Sequence, residues 1–534
     1  MTDPLDTTLA YHDRTKHHFQ RYAAGPGGLD WATQPDPFRS FAGATQLALP
    51  LLGEDAPRAS YVDLHQSGRI APQPLTLAHV SALLQLAFGL SAWKEYGDNR
   101  WALRCNPSSG NLHPTEAYVA IQGCAGMADG VHHYLSRDHA LEQRCAFQGS
   151  ERRLPENGFL LGLSSIHWRE AWKYGERAYR YCQHDVGHAI AAARYAAAAL
   201  GWQARVLGDW SDAEIAALLG LDRDEDFGAA EREHPDAMLL ISTQEIIQAP
   251  TPFLPAAGHW TGQANRLSPH HAHDWPVIEE AARACAKPAT HEQDCRPPAL
   301  PAPLPSPCQA SATAIIQQRR SAQEFDGVTP ISADTFYRML DMTLPRPKVP
   351  PWDTIGWAPR VHLALFVHRV EGLLPGVYLL PRDAPIEARM RAELSDEFQW
   401  TRAEHCPAHL PLYRVVAADA RQAAKALSCH QDIAADGAFS LGMLAEYESS
   451  LIDAPWVYRQ LFWEAGILGQ VLYLEAEAAG VRGTGIGCFF DDGVHEVLGI
   501  QGRWLQSLYH FTVGGALTDT RLQTLPPYAH LQRA

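Results

Sequence analysis

The sequence predicts an α+β fold laid down twice in one chain, the two copies packing together as an intrachain pseudo-dimer. Three observations carry this. Residues 284–312, "ACAKPATHEQDCRPPALPAPLPSPCQASA", are rich in Pro and Ala and almost without aliphatic periodicity, as a linker of polyproline character is, and they divide the 534 residues into halves of similar size. Tyr179-Arg180 recurs as Tyr458-Arg459, 279 residues on, and the same offset carries Gly187 to Gly466, Gly201 to Gly480, Gly208 to Gly487, Asp212 to Asp491 and Leu219-Gly220 to Leu498-Gly499. Each half also runs through the same order of element types, which makes the expected domains 1–283 and 313–534, joined by the linker.

Each element follows from a local signal. "QPLTLAHVSALL" (73–84) and "TPISADTFYRML" (329–340) each place a Thr or Ser before an apolar-periodic run, where a helix N-cap belongs. A polar loop and a strand come next, then a second strand near "DGVHHYLSRD" (129–138) and "PGVYLLPRD" (375–383). Residues 184–200 are nearly all Ala with few polar groups, which predicts a helix buried on most sides. A glycine-containing turn follows, and "AMLLIST" (237–243) and "LYHFTVGG" (508–515) close the halves as strands. Two similar halves on one chain imply a fused dimer about a pseudo-two-fold axis.

Composition narrows the function. Apolar content of 46% supports sizeable cores, and a net charge of −16 argues against nonspecific binding to nucleic acid or an anionic membrane while leaving room for a local basic pocket. No apolar run approaches the roughly 18 residues of a membrane span, and the start lacks a secretory pattern. Ten scattered cysteines without a C-x-x-C pair read as reduced thiols of a cytoplasmic protein. "SPHHAHDW" (268–275) lacks supporting ligands at helical spacing, so no metal site is expected, and Cys285, Cys295 and Cys308 in the linker read as bystanders.

The chemistry-bearing stretches are few. "RCNPSSGNLHPTEAY" (104–118) packs far more small hydrogen-bonding groups before a strand than a turn needs. "QQRRSAQEFDG" (317–327) sets Arg319, Arg320 and Ser321 before an expected helix; adjacent guanidinium forks and a hydroxyl suit a phosphate. Together with "WKYGERAYRYCQHDVGH" (172–188), "GTGIGCFFDDGVHEVLG" (483–499) and "FTVGGALTDTRLQTLPPY" (511–528), these stretches resemble the nitroreductase-like flavoproteins, and most of all their SagB/ThcOx-type dehydrogenases, which include azoline oxidases of ribosomal peptide biosynthesis.

The resemblance implies a nitroreductase-like fold and FMN held at a dimer interface. One face would be the clamp Arg319, Arg320 and Ser321 with the turn Gly485, Ile486 and Gly487. The other would be the loop carrying Arg104, Pro107, Ser108, Ser109 and Asn111, with His113 either against the flavin tail or substrate or capping the turn. Gln323 departs from the family, which commonly has a further Arg there; Arg521 matches a C-terminal basic position that reaches the phosphate in relatives. In the first half His65-Gln66-Ser67 stands in place of the clamp, and in the second "LPRPKVPPWDTIG" (344–356) stands in place of the loop. Only one composite site keeps both faces, so one flavin is expected. Lys173-Tyr174 resembles the Lys-Tyr pair of azoline oxidases and has Ile452-Asp453 at its counterpart, which makes Lys173 and Tyr174 the candidates for taking the proton left after hydride loss.

The expected function is FMN-dependent dehydrogenation of a C–N or C–S heterocycle or a related peptidic substrate, in a monomeric, cytoplasmic protein without nucleic-acid or membrane partners. Two alternatives stand beside it: a nitroreductase or quinone reductase fed by NAD(P)H, and a non-catalytic flavin-binding partner in a biosynthetic complex. No G-x-G-x-x-G follows a strand, so no separate Rossmann domain supplies the nicotinamide.

Overall fold

A computed structural model describes residues 3–531 apart from 54–55, 149–151, 254–257, 292–294 and 296. Its two main sheets share one plan. In the first, Ala140–Ala146, Gly130–Leu135, Thr115–Ile121, Gly158–Ser165, His234–Ser242 and Gln203–Val206 lie side by side, every pair antiparallel. In the second, Tyr413–Ala417, Gly376–Leu380, Val361–Val367, Phe439–Glu446, Leu505–Gly514 and Arg482–Ile486 follow the same order and sense.

The expected caps are present. Thr76 accepts from the His79 amide ahead of helix Leu77–Phe88, and Ser332 accepts from the Thr335 amide ahead of helix Ala333–Asp341. Each half then contributes one 22-residue helix, Ala178–Ala199 and Val457–Ala478, and the first is buried along its whole length. Alanine and glycine let these helices approach closely. A Cβ on Gly187 would fall against the Trp463 carbonyl, and one on Gly466 against the His184 carbonyl. Their flanks pair reciprocally too: Arg180 donates to Asp491 and Arg459 to Asp212, each at 2.7 Å, while Tyr179 and Tyr458 stack with interplanar angle 1°. Asp212 and Asp491 each begin a helix that ends on a left-handed glycine, Gly220 or Gly499, both with φ of 72°.

The chain ends cross between halves. The N-terminal segment lays Lys16 on Asp492 (2.8 Å) and Phe19 on Phe490 (4.4 Å between rings). The C-terminal strand Gln523–Leu525 pairs with Leu90–Tyr96, and the Tyr528 hydroxyl accepts from the Leu90 amide at 2.8 Å.

Two expectations need correction. The stretch 284–312 is not a free spacer where it is described: Cys285 and Cys308 are buried, Lys287 donates to the Trp210 carbonyl at 3.0 Å, and the Leu304 amide donates to Asp341 at 2.8 Å. Its prolines remove donors, and its remaining amides and apolar side chains dock on both halves instead. Arg319-Arg320-Ser321 also does not precede a helix. It follows helix Ala312–Gln318, which Ser311 caps, and Arg319 is the C-terminal cap residue, where a cation complements the helix dipole. Among the described residues no helix is long and apolar enough to cross a membrane.

Candidate functional site

A cavity of about 620 Å³ opens between the halves. From the first half its wall takes Arg104, Pro107, Ser108, Ser109, Asn111, His113 and Tyr174; from the second it takes Arg319, Arg320, Ser321, Gly485, Ile486 and Gly487. The two predicted faces therefore meet across one space, of a size that suits a cofactor.

The first face is a loop held under constraint. Gly110, Asn111 and His113 all adopt positive φ, of 58°, 61° and 53°. Such backbone in non-glycine residues persists only when neighbours over-determine it. Here the His113 amide donates to Ser108 Oγ at 2.8 Å, Asn111 Nδ2 donates to the Ala102 carbonyl at 2.9 Å, and Asn111 Oδ1 lies 3.0 Å from His113 Nε2. Burial holds His113 neutral, well below the usual histidine range. His113 thus braces the turn while also forming part of the cavity wall.

The second face is cationic. Arg319, only 4% exposed, spends Nε and Nη2 on the carbonyls of Cys105 and Arg104 at 3.2 and 3.1 Å, and Arg320 donates to the Ser91 carbonyl at 2.8 Å. Neither has a carboxylate partner among the described residues. Burial pulls Arg320 and Arg104 down to about 10, so both stay charged at neutral pH. Buried guanidinium groups without counter-charge are costly, and an anionic group among them offsets that cost. Ser321 Oγ shares a 2.8 Å hydrogen bond with the Tyr473 hydroxyl, which accepts from the Gly485 amide at 2.9 Å. The expected glycine turn is the end of the strand Arg482–Ile486: a Cβ on Gly485 would collide with the Tyr509 hydroxyl, and one on Gly487 with the Tyr181 ring, so both positions favour glycine beside the cavity.

The acid/base candidates gather over the loop. A Cβ on Gly110 would meet the Tyr174 hydroxyl at 2.5 Å and Lys173 Nζ at 3.1 Å, and Lys173 Nζ sits 5.2 Å from the Tyr174 ring centre. Lys173 itself is half-buried behind the lining. Burial, then the Glu170 carboxyl, pushes the Tyr174 phenol well above its ordinary range. A phenol shifted this way keeps its proton at neutral pH, the form that can donate a hydrogen bond.

Asp185, missed in the sequence, is a further acid/base candidate. It lines the cavity from helix Ala178–Ala199 and accepts from the Ser109 amide at 3.1 Å and Ser109 Oγ at 3.2 Å. Burial pushes its carboxyl up to about 7 against those hydrogen bonds. Its counterpart 279 residues on is Glu464, which accepts from the Arg360 and Val361 amides at 2.9 and 3.2 Å but is neutralised by Arg382. Among the described residues Asp185 has no such partner, which leaves a carboxyl poised to exchange a proton at neutral pH. The available signal was an acid at the same position, 185 and 464, in the long buried helix of each half.

Arg521 lies elsewhere than expected. Its guanidinium pairs with Asp519 at 2.8–2.9 Å, and its side chain is 71% exposed outside the lining. Cationic groups nearer the cavity are Lys94 and Arg482.

A second cavity, of about 640 Å³, lies at the counterpart position, lined by Gln66, Ser67, Gln203, Arg205 and the 347–353 stretch. Arg194 stands there where Tyr473 stands in the first cavity, and it grips Asp353 through two hydrogen bonds of 2.8 and 2.9 Å. His65 is buried, with Nδ1 3.3 Å from Arg338 Nη2, and is not part of that lining. Away from both cavities, His167, His234 and Glu279 bring possible ligand atoms within 4.8 Å of one another, a grouping the sequence reading did not anticipate.

Comparison with known proteins agrees with this geometry. Residues 70–230 match the nitroreductase family. A protein of Methanocaldococcus jannaschii named as a nitroreductase is 27% identical over 155 residues, which cover 27% of this chain and 75% of its own. A crystal structure from Anabaena variabilis, described as a nitroreductase, superposes with a TM-score of 0.70 at 21% identity over 96% of this chain and 99% of its own. A component of the E. coli microcin synthetase complex with bound truncated pro-microcin overlaps 32% of this chain and 65% of its own, with TM-score 0.26 and 23% identity. Residues 70–230 thus resemble nitroreductase-family oxidoreductases in sequence, and the fold of the chain is nitroreductase-like.

Proposed function

We propose that this chain is a duplicated nitroreductase-like protein, with halves 1–283 and 313–534, that holds a single FMN in the 620 Å³ cavity and dehydrogenates a C–N or C–S heterocycle, as SagB-type enzymes do. The observation that carries the reading is the meeting of buried Arg319 and half-buried Arg320, neither with a carboxylate partner among the described residues, with the constrained Ser108–Ser109 loop across one cavity. Reciprocal pairing of Arg180 with Asp491 and Arg459 with Asp212 supports the duplication, because an isologous interface repeats each contact. The Arg194–Asp353 pair supports single occupancy: it spends the charge of the second cavity internally.

The roles divide as follows. FMN, when bound, supplies acceptance of a hydride from carbon. Arg319, Arg320 and Ser321 would hold its phosphate by charge-assisted hydrogen bonds. Gly485 and Gly487 keep the wall thin enough for close approach of a planar ring. Asp185, half ionised near neutrality, takes the proton that the substrate's neighbouring nitrogen or carbon releases, and Tyr174 donates a hydrogen bond while Lys173 supplies positive charge beside the developing anion.

Purified protein tests this directly. Released flavin is expected to be FMN at one per chain, and a thiazoline- or oxazoline-bearing peptide is expected to bleach the flavin anaerobically while NAD(P)H does not. Rapid bleaching by NAD(P)H and none by azolines would establish the reductase alternative instead.

A further inference from the structure

Cys488 follows Gly487 at the end of the strand Arg482–Ile486 and lines the candidate cavity, with its side chain next to that of Cys429. The two cysteines sit on segments tied together by the backbone. The Phe490 amide donates to the Leu427 carbonyl at 2.8 Å, and Gln431 Nε2 donates to the Cys488 carbonyl at 3.1 Å. Cys429 and His430 are both held at positive φ, of 52° and 61°, so this turn is fixed in an unfavourable backbone region.

The surroundings differ from those of the chain's other thiols. The His17 ring hydrogen-bonds Cys488; the Ala23 amide donates to His17 Nδ1 at 2.9 Å, which leaves the neutral ring's proton on Nε2. Arg177 donates to the Gly487 carbonyl at 3.2 Å and to Asp491 at 3.0 Å, placing a fixed positive charge beside the turn. The hydrogen bond from Cys429, then that from His17 and the Arg177 charge, hold the Cys488 thiol well below the usual thiol range despite its burial. Cys105 and Cys182 are fully buried and burial pushes both up. Cys488 and Cys429 are half-buried, so a small oxidant can reach them. A thiolate in a cationic, accessible niche with a second thiol in contact is the arrangement that oxidises selectively.

We infer that Cys488 and Cys429 form an oxidation site in the cavity wall, Cys488 as the sulfur that attacks hydrogen peroxide and Cys429 as the thiol that resolves it to a disulfide. In the first step the Cys488 sulfur attacks one peroxide oxygen; an S–O bond forms, the O–O bond breaks, and the leaving hydroxide takes a proton to become water. Sulfur is oxidised to a sulfenic acid and peroxide is reduced. In the second step Cys429 loses its proton and attacks that sulfur; the S–S bond forms, the S–O bond breaks, and a second water leaves. The sum is two thiols and one peroxide giving one disulfide and two waters. A small dithiol reverses it by exchange. The disulfide would clamp the 427–431 turn to the glycine turn and so fix one edge of the cavity. Nothing in this chemistry requires a bound flavin.

The test uses the full-length, reduced protein and a few equivalents of hydrogen peroxide at pH 7, with peptide mass spectrometry under non-reducing conditions. A Cys429–Cys488 peptide that dithiothreitol reverses is expected. Cys429→Ser is expected to leave Cys488 as a sulfenic acid that dimedone traps, and Cys488→Ser to leave Cys429 a free thiol; thermal melts show whether each variant is folded. Iodoacetamide at pH 6 is expected to alkylate Cys488 of the unsubstituted protein at least about tenfold faster than any other cysteine. Absence of the cross-link, cross-links that bypass Cys488, or alkylation of Cys488 no faster than of Cys105 would each overturn the inference.

Discussion

Gly187 and Gly466 meet backbone to backbone where the two 22-residue helices cross, each at a position where a Cβ would strike the other helix's main chain. No side-chain rearrangement relieves a clash with a carbonyl. Gly187→Ala and Gly466→Ala are therefore expected to destabilise the protein by about 3 kcal/mol each, at the upper end of overpacking, because the helices must separate. Gly208→Ala, with nothing within 4 Å of the added atom, is the control. Thermal melts check it, and near-equal Tm values for all three would refute the crossing as a tight constraint.

The phosphate clamp is expected to act from one side only. Arg319→Ala removes charge-assisted hydrogen bonds worth about 1.5–3 kcal/mol, one to two decades in FMN affinity. Arg194→Ala and His65→Ala, at the counterpart position, are expected to leave FMN affinity within about twofold, although His65→Ala unbalances the buried Arg338–Glu475 pair and lowers Tm. Flavin titration of the three variants separates the two cavities.

Lys173 and Tyr174 are expected to matter for rate and not for folding, since Ile452 and Asp453 replace them in the other half. Lys173→Ala or Tyr174→Phe is expected to keep FMN bound and to slow substrate oxidation by about two to three decades, the usual cost of losing one group aimed at developing charge. Stopped-flow flavin reduction measures this. Loss of flavin in both would instead assign the pair to the cofactor.

Asp185 ties activity and stability to pH in opposite directions. As a base it must be ionised, so flavin reduction by substrate is expected to rise with pH through about 7 and then level off. Stability runs the other way. The folded carboxyl titrates near 7 and the unfolded one near 4, so the folded state holds more protons between these values and stability falls as pH rises through that window. Asp185→Asn is expected to lose the activity inflection and to be stabilised at pH 8 relative to the native residue, by up to roughly 4 kcal/mol, with little difference at pH 4. Melts at both pH values and a pH–rate profile check the pair of effects together.

Much of this arrangement was legible because function placed small, polar or doubled residues where packing alone would not. The glycines repeating at 279 residues mark helix crossings and left-handed caps, whose backbone demands survive in sequence. The Ser108–Ser109 loop and the paired arginines announced themselves by composition. Asp185 did not, because one acid in a helix gives no clue to its dielectric until the helix is packed. Arg521 misled for the complementary reason: Asp519, two residues earlier, captures its guanidinium locally. Linker composition described the backbone of 284–312 correctly as irregular but could not reveal that Cys285, Lys287 and Cys308 have slots to fill on both halves.

The docked connection from 284 to 312 makes the meeting of the two long helices a first-order event. A dimer of separate subunits with this interface would empty its cavity on dilution, and every substitution would appear in both sites at once. Tethering holds the partner at an effective concentration of the order of millimolar at any protein concentration. It also lets each side mutate alone, so an ion pair such as Arg194–Asp353 can neutralise charge in one cavity while the glycines of the other stay untouched.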